Sequence, residues 1–264
     1  MNNLEHKKMS GSDYLQNILI RKACCSETER LNQYNLVKGR LMPIINQWSN
    51  GYLEEVFQSG SSAKGTAIKG KSDVDVFISI KSSCDVTLQK IYETLGEAVR
   101  QAGYNIRHQN VSIGLKVGNI DVDLVPGKKD PGNTNYHKLY VSKKQSWMQT
   151  NVKLQIQNIK NSHRAKFIQL TKIRRDCHRL DFPSMNIELI VLEALRGYSY
   201  DTSLTDGFLQ VLRYIEDKIL DSYLIDPGNS GNIISDDMTF QDKLAVQQKA
   251  RNSLSQQYWS SVVW

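Results

Sequence analysis

Gly60-Ser61-Ser62-Ala63-Lys64-Gly65-Thr66-Ala67-Ile68-Lys69-Gly70-Lys71-Ser72-Asp73-Val74-Asp75, followed later by Ile120-Asp121-Val122-Asp123, is the stretch that decides the fold. Side chains two apart on a strand point to the same face. Asp73 and Asp75 therefore project together, and so do Asp121 and Asp123. Gly60 lets the backbone approach a phosphate closely, and Ser61 and Ser62 offer hydroxyls and amides to its oxygens. The residues through Thr66 read as the opening of a helix, whose N-terminus favours an anion. Clustered carboxylates repel each other unless a cation sits between them. Hard divalent ions with oxygen ligands, Mg²⁺ above all, suit such a cluster when a triphosphate supplies the remaining ligands. Two such ions about 3.5–4 Å apart clamp the attacking and leaving oxygens of an in-line nucleotidyl transfer. A Gly-Ser-Ser turn or an Asp-x-Asp alone is a common accident. Here Val74, Val76, Phe77 and Ile78 mark a strand buried on at least one side, where carboxylates are rare unless paired or bound to a cation.

Outward from that stretch the chain has two grammars. Ser26-Glu27-Thr28-Glu29 is a capping box, and Leu31, Tyr34, Val37, Leu41, Ile44, Ile45 and Trp48 recur at helical spacing until Gly51. Pro43 inside this helix predicts a kink or a break. Residues 1–25 are polar and weakly patterned. Strands are expected at 54–58, 74–80, 104–109, 111–117 and 120–125, the last ended by Pro126-Gly127. A helix runs from Asp85 to Gly103. Past a polar loop at 128–135, and from about 151, helices are expected at 151–161, 163–179, 183–197, 205–222 and 238–258. The fold class is therefore α/β (α+β) and bilobal: a small mixed β-sheet core with flanking helices in residues 1–140, and a helical lobe in 141–264 that closes a ligand cleft.

The 264 residues carry a net charge of +7 and a pI near 9.1, which suit a polyanionic ligand. No run of about 18 apolar residues appears, which argues against a membrane span. Met1 to Lys8 lack the apolar core of a signal peptide. Cys24, Cys25, Cys84 and Cys177 fall at no metal-type spacing, so they read as reduced thiols of a cytoplasmic protein. His137, His163 and His178 pair with no Cys or His at metal spacing and receive no chemistry.

The segment from Gly60 to Asp75 closely resembles the signature of the polymerase-β-like nucleotidyltransferases. Within them it is most similar to the oligoadenylate synthetase and cyclic-GMP-AMP synthase group, with its bacterial relatives that make cyclic oligonucleotides in phage defence. The third carboxylate of that family precedes a hydrophobic-hydrophobic-Pro segment, which here is Asp123-Leu124-Val125-Pro126. Trp147-Met148-Gln149-Thr150-Asn151 resembles the segment entering the second lobe. Phe167 to Arg175 resembles the helix whose lysine, here Lys172, holds the donor triphosphate. Pro183-Ser184-Met185-Asn186-Ile187-Glu188-Leu189 resembles the next helix start, whose serine, here Ser184, faces the phosphates. Asp226-Pro227-Gly228-Asn229 with Asn232 resembles a late Asp-Pro-x-Asn loop. Three features depart from the pattern. Ile173-Arg174 stand where an aromatic is frequent, Val152 where a Pro is usual, and no zinc-binding insertion of the DNA-sensing animal enzyme is present.

The resemblance implies Asp73, Asp75 and Asp123 as ligands of two Mg²⁺ ions (or Mn²⁺), with Asp123 helping to remove the acceptor proton. It implies Gly60, Ser61, Lys172 and Ser184 as contacts of the nucleotide phosphates. Asp121 is either a partner of Asp123 or a solvated strand carboxylate. Arg164, Lys172, Arg175 and Arg179 form one side of their helix, which either tracks an acceptor strand or stays wet. Tyr198 and Tyr200 either stack on the donor base or pack a helix end. The expected function is template-independent joining of nucleoside triphosphates, ATP first, into a linear or cyclic oligonucleotide messenger in antiviral defence, with RNA or a protein as candidate activators. Two alternatives stand beside it. One is nucleotidyl transfer to an RNA end or to a small-molecule or protein acceptor; the other is a non-enzymatic nucleotide- or RNA-binding module, against which all three carboxylates count.

Overall fold

The computed structural model describes residues 10–23, 26–70, 73–132 and 134–264. The N-terminal peptide from Met1 to Lys8, the Cys24-Cys25 pair, and Lys71 and Ser72 of the motif lie outside the described residues. In chain order the elements begin α1 (Gly11–Lys22), α2 (Glu27–Ser49), β1 (Leu53–Gln58), α3 (Gly60–Lys64), β2 (Val74–Ile80) and α4 (Leu88–Gln101). There follow β3 (Arg107–His108), β4 (Ile113–Val117), β5 (Ile120–Lys129), β6 (His137–Val141) and β7 (Ser146–Thr150). The remainder is α5 (Val152–Ser162), α6 (Ala165–Cys177), α7 (Ser184–Ala194), α8 (Leu204–Lys218), β8 (Ile225–Asp226), β9 (Asn229–Ile233) and α9 (Phe240–Leu254).

Two compact units divide the chain. One comprises Cys24–Asn161 with Asp226–Asn232; the other comprises Met1–Ala23, Ser162–Ile225 and Ile233–Trp264. In the first, β1-β2-β5-β4-β3 is the strand order, and β6 extends from the far end of β5 to pair with β7. Only β2 and β5 run parallel, so the sheet is mixed as the sequence predicts.

Alternation along the strands sorts the two sheet faces. Val74, Val76, Ile78 and Ile80 of β2, Ile113, Leu115 and Val117 of β4, and Val122 and Leu124 of β5 join one buried cluster. Tyr34, Val37, Leu41 and Ile45 of α2 and Ile91, Leu95 and Val99 of α4 complete it. Fully burying each such aliphatic side chain contributes about 1.5–3 kcal/mol. A slip of one residue would turn these side chains outward and the aspartates inward, so the core fixes which face the carboxylates occupy.

Several expectations are corrected. α2 runs unbroken through Pro43. Pro43 is exposed, and the residue one turn before it, whose carbonyl a proline ring crowds, is Gly39, the residue with most backbone freedom. The expected capping box is present, with Ser26 and Glu29 bonding reciprocally. β5 does not stop at Pro126 but continues to Lys129. On one side Pro126 still faces Ile78 of β2. On the other, β4 ends its pairing at Leu124 and β6 begins at Lys128, so the missing N–H falls in a gap of the ladder. β3 is only two residues long, not the strand expected over 104–109.

The second unit is helical. α1 forms where the sequence is weakly patterned: Ser10 caps it, and Leu15, Ile18 and Leu19 are buried as it packs on α6 and α8. α6 lies at the centre of this unit, with every side chain from Phe167 to Arg174 buried. The wet side expected for that helix is therefore absent over those residues.

Candidate active site

Ser59, extended, donates its N–H to the Asp75 carbonyl at 2.9 Å, tying the end of β1 to β2. Gly60 then turns the chain into α3 with φ of +63°, in the left-handed region. A Cβ at Gly60 would fall inside the Asp75 carboxylate. The turn and the first Asp-x-Asp therefore touch, and only glycine permits it. Ser61 occupies the first turn of α3.

Across the parallel pair, Asp75 stands directly opposite Asp123, and Val74 opposite Val122. Asp73 precedes β2 on the Asp75 face, and Asp121 precedes Asp123 by one strand repeat. Burial pushes the Asp73 carboxyl above the usual carboxylate range, and the charge of Asp121 pushes it further. Burial likewise raises Asp123, followed by the charge of Asp73. These mutual effects place Asp73, Asp121 and Asp123 in one electrostatic neighbourhood, and the register adds Asp75.

Among the described residues no three acidic, His or Cys side chains converge closely enough to ligate an ion as they stand. Like charges hold such groups apart, and a cation draws them together. Adjacent strands are about 4.8 Å apart, so Asp75 and Asp123 stand side by side on one face of the sheet. Their all-oxygen chemistry fits Mg²⁺ or Mn²⁺.

Two cations flank the carboxylates. Arg107 of β3 and Lys116 of β4 reach Asp121 at 3.7 and 3.3 Å. Asp121 is thus ion-paired at the rim of the cluster while its side chain stays 38% exposed to solvent. Further along β2, Ser79 Oγ and His137 Nε2 are 2.7 Å apart, and the ring of His137 lies edge-on to Phe77. Burial holds His137 below the usual imidazole range.

In the helical unit, Lys172 and Ser184 are on consecutive helices but in different settings. Lys172 is 2% exposed, and its Nζ donates to Glu188 Oε1 at 3.0 Å in a buried ion pair. Ser184 opens α7 at the surface, and its Oγ accepts from Arg175 at 3.2 Å. Arg164 is neither wet nor along a strand path: it is buried, with its guanidinium donating to the carbonyls of Leu195, Tyr198 and Ser199. Arg174, wholly buried, donates to Ser253 Oγ at 3.0 and 3.2 Å, and burial lowers it to about 10. The Tyr200 ring lies 5.3 Å from the Arg164 guanidinium, so it has a partner at the helix end.

The late Asp-Pro-x-Asn segment forms the β8–β9 hairpin. Asp226, buried, accepts from Gln155 Nε2 at 2.8 Å and Gly228 N at 2.7 Å. This seats the hairpin on the start of α5, which Asn151 caps through the Leu154 N–H. Sequence reading missed Gln109, whose Nε2 donates to Asp123 Oδ1 at 2.9 Å. No local spacing advertises it, because the contact crosses from the β3–β4 turn to β5.

A family model for the Second Messenger Oligonucleotide or Dinucleotide Synthetase (SMODS) domain matches residues 9–162. The chain belongs to this family. The SMODS match covers the whole carboxylate-bearing sheet face. A curated relative, the cyclic AMP-AMP-AMP synthase of Escherichia coli (strain MS 115-1), is 28% identical over 183 residues, 62% of this chain and 57% of the relative. The match thus spans little more than half of that relative's length. Two solved structures share the fold, both at 19% identity over 93% of this chain. E. coli MS115-1 CdnC with ATP has a TM-score of 0.77 and is covered over 91% of its length. The CdnC:HORMA-deltaN complex from the same strain has a TM-score of 0.76 and is covered over 90%. The resemblance read from the motif therefore holds at the level of family and of fold.

Proposed function

We propose that this SMODS chain is a template-independent nucleotidyltransferase that joins nucleoside triphosphates, ATP first, into a linear or cyclic oligonucleotide messenger. The observation that carries the reading is the meeting of Gly60 with Asp75, and of Asp75 with Asp123, on one sheet face. A hydroxyl of one nucleotide attacks the α-phosphorus of the other. A new P–O bond forms, the bond to the β-phosphate oxygen breaks, and pyrophosphate leaves. Asp73, Asp75 and Asp123 would hold the divalent ions, which supply charge neutralisation at the attacking and leaving oxygens. Asp123 would help remove the hydroxyl proton, as general base or through the ion it holds. Gly60 and Ser61 cradle the departing phosphates. Lys172 and Ser184 are the further phosphate contacts of this reading. For Lys172 the role requires it to exchange its ion pair with Glu188 for the triphosphate.

ATP as donor is supported by the similarity to a cyclic AMP-AMP-AMP synthase and to CdnC with ATP, and a protein partner, here proposed as an activator, by the similarity to the CdnC:HORMA-deltaN complex. A part in antiviral defence belongs to the same proposal. The experiment is incubation of the purified protein with all four nucleoside triphosphates and Mg²⁺ or Mn²⁺, alone and with RNA, and identification of products by mass. Short oligonucleotides without RNA support the reading. Products that form only on RNA ends would favour transfer to RNA instead.

A further inference from the structure

Asp123 is held by a built support. Gln109 Nε2 donates to Asp123 Oδ1 at 2.9 Å, and Ser112 Oγ donates to Gln109 Oε1 at 2.8 Å. The hydroxyl therefore sets which way the amide faces, with its NH₂ end on the carboxylate. The Gln109 backbone is fixed as well. Its N–H donates to the Ser112 carbonyl at 3.0 Å. Its carbonyl accepts from the Tyr92 hydroxyl at 2.7 Å and from Ser142 Oγ at 2.8 Å. α4 and the residues after β6 thus clamp the β3–β4 turn behind the carboxylate.

Gly114 reserves the space. It stands opposite Asp123 in the β4–β5 register, and a Cβ there would lie 2.7 Å from Gln109 Nε2 and 3.2 Å from Asp123 Oδ1. Among the described residues, Gln109 is the hydrogen-bond donor that reaches Asp123.

We propose that Gln109 is the positioning residue of Asp123, pinning Oδ1 through the Ser112–Gln109 relay so that Oδ2 is presented to the cation and the acceptor hydroxyl. This rests on the reading of Asp123 as ligand and proton acceptor. Groups that orient a metal ligand typically carry about 10- to 100-fold in metal affinity or activity. A pinned carboxylate also gives up less rotational freedom when it engages.

The test uses the full chain with four substitutions, and Asp123→Asn for comparison. Gln109→Leu removes the donor. Gln109→Glu keeps the shape and the bond from Ser112 but puts an acceptor against Oδ1. Gly114→Ala intrudes on the bond while leaving Gln109 in place. Ser112→Ala, which only frees the amide to turn, serves as the milder variant. Mn²⁺ binding is followed by electron paramagnetic resonance in the presence of a non-hydrolysable ATP analogue. Turnover and KM for ATP are measured, and melting is recorded in EDTA. Mn²⁺ affinity and kcat should fall about 10- to 100-fold in Gln109→Leu and Gly114→Ala, less in Ser112→Ala, with KM for ATP little changed; in Gln109→Glu, whose added charge itself attracts the ion, kcat should fall by as much. Raising Mn²⁺ should recover much of the Gln109→Leu rate but none of the Asp123→Asn rate. Wild-type Mn²⁺ affinity in Gln109→Leu and Ser112→Ala, with Asp123→Asn inactive, overturns the positioning role and leaves the enzyme reading intact. Full turnover by Asp123→Asn would bring down the reading itself.

Discussion

Gly60→Ala isolates the contact on which the site is built. Gly60 has φ of +63° and its missing Cβ would overlap the Asp75 carboxylate. An alanine there carries two costs. Left-handed backbone costs an L-residue roughly 1–2 kcal/mol, and the overlap forces Asp75 or the α3 turn to move. A misplacement of about 1 Å at a reacting centre costs on the order of 100-fold in rate, so turnover should fall at least that far. Gly65 provides the control within the same turn: its φ is +74° and a Cβ there meets nothing within 4 Å. Gly65→Ala should therefore lose only the backbone part, roughly 1–2 kcal/mol, while keeping most of its activity. Urea denaturation measures the first quantity and pyrophosphate release the second. A loss of roughly 1–2 kcal/mol out of the about 5–15 that hold a domain leaves Gly65→Ala folded, and the same denaturation curve checks that Gly60→Ala, with the overlap added, is folded too. Wild-type turnover in Gly60→Ala, or equal activity losses in both variants, would refute the argument that glycine is there to admit Asp75.

Two further outcomes follow from the same structure. Asp73 is raised above the usual carboxylate range by burial and by Asp121, so between its unfolded and folded pKa values the folded state binds more protons than the unfolded one. That contribution lowers stability as pH rises through this window. Asp73→Asn should raise the melting temperature of the metal-free protein at pH 7, with the gain shrinking towards about pH 4; calorimetry in EDTA over pH 4–8 reads it. Glu188→Gln leaves the Lys172 ammonium buried without its carboxylate and should cost about 3–5 kcal/mol in chemical denaturation, whereas the joint replacement Lys172→Met with Glu188→Leu should recover most of it.

Legibility in the sequence followed locality. The β2 strand announces itself because Val74, Val76, Ile78 and Ile80 alternate with Asp75, Phe77 and Ser79, and both signals fall within seven residues. The capping box of α2 is equally local. β5 past Pro126 was not legible, because the gap between β4 and β6 that tolerates a proline is a property of the sheet. α1 carries only three buried apolar side chains in a polar stretch and is held by packing on α6 and α8. The cationic side read along α6 failed for a similar reason. Of its members, Arg164 and Lys172 are buried, because distant carbonyls and Glu188 receive their donors, whereas Arg179 is exposed as a wet side requires. Of the candidate site, the shared strand faces of Asp73 with Asp75 and of Asp121 with Asp123, and the turn at Gly60, were legible from spacing, while singling out Asp123 came from the family resemblance. Gln109 and the partner of Lys172 were not legible, since each contact joins elements that the sequence does not place side by side.

The central claim is that a glycine turn and carboxylates from two parallel strands make one divalent-ion centre. Crystals grown with Mn²⁺ and a non-hydrolysable ATP analogue, with data collected for manganese anomalous scattering, test it directly. The account predicts anomalous density ligated by Asp73, Asp75 and Asp123, with nucleotide phosphate beside Gly60 and Ser61. Manganese bound elsewhere, or nucleotide bound with Asp123 turned away from Asp75, would contradict it.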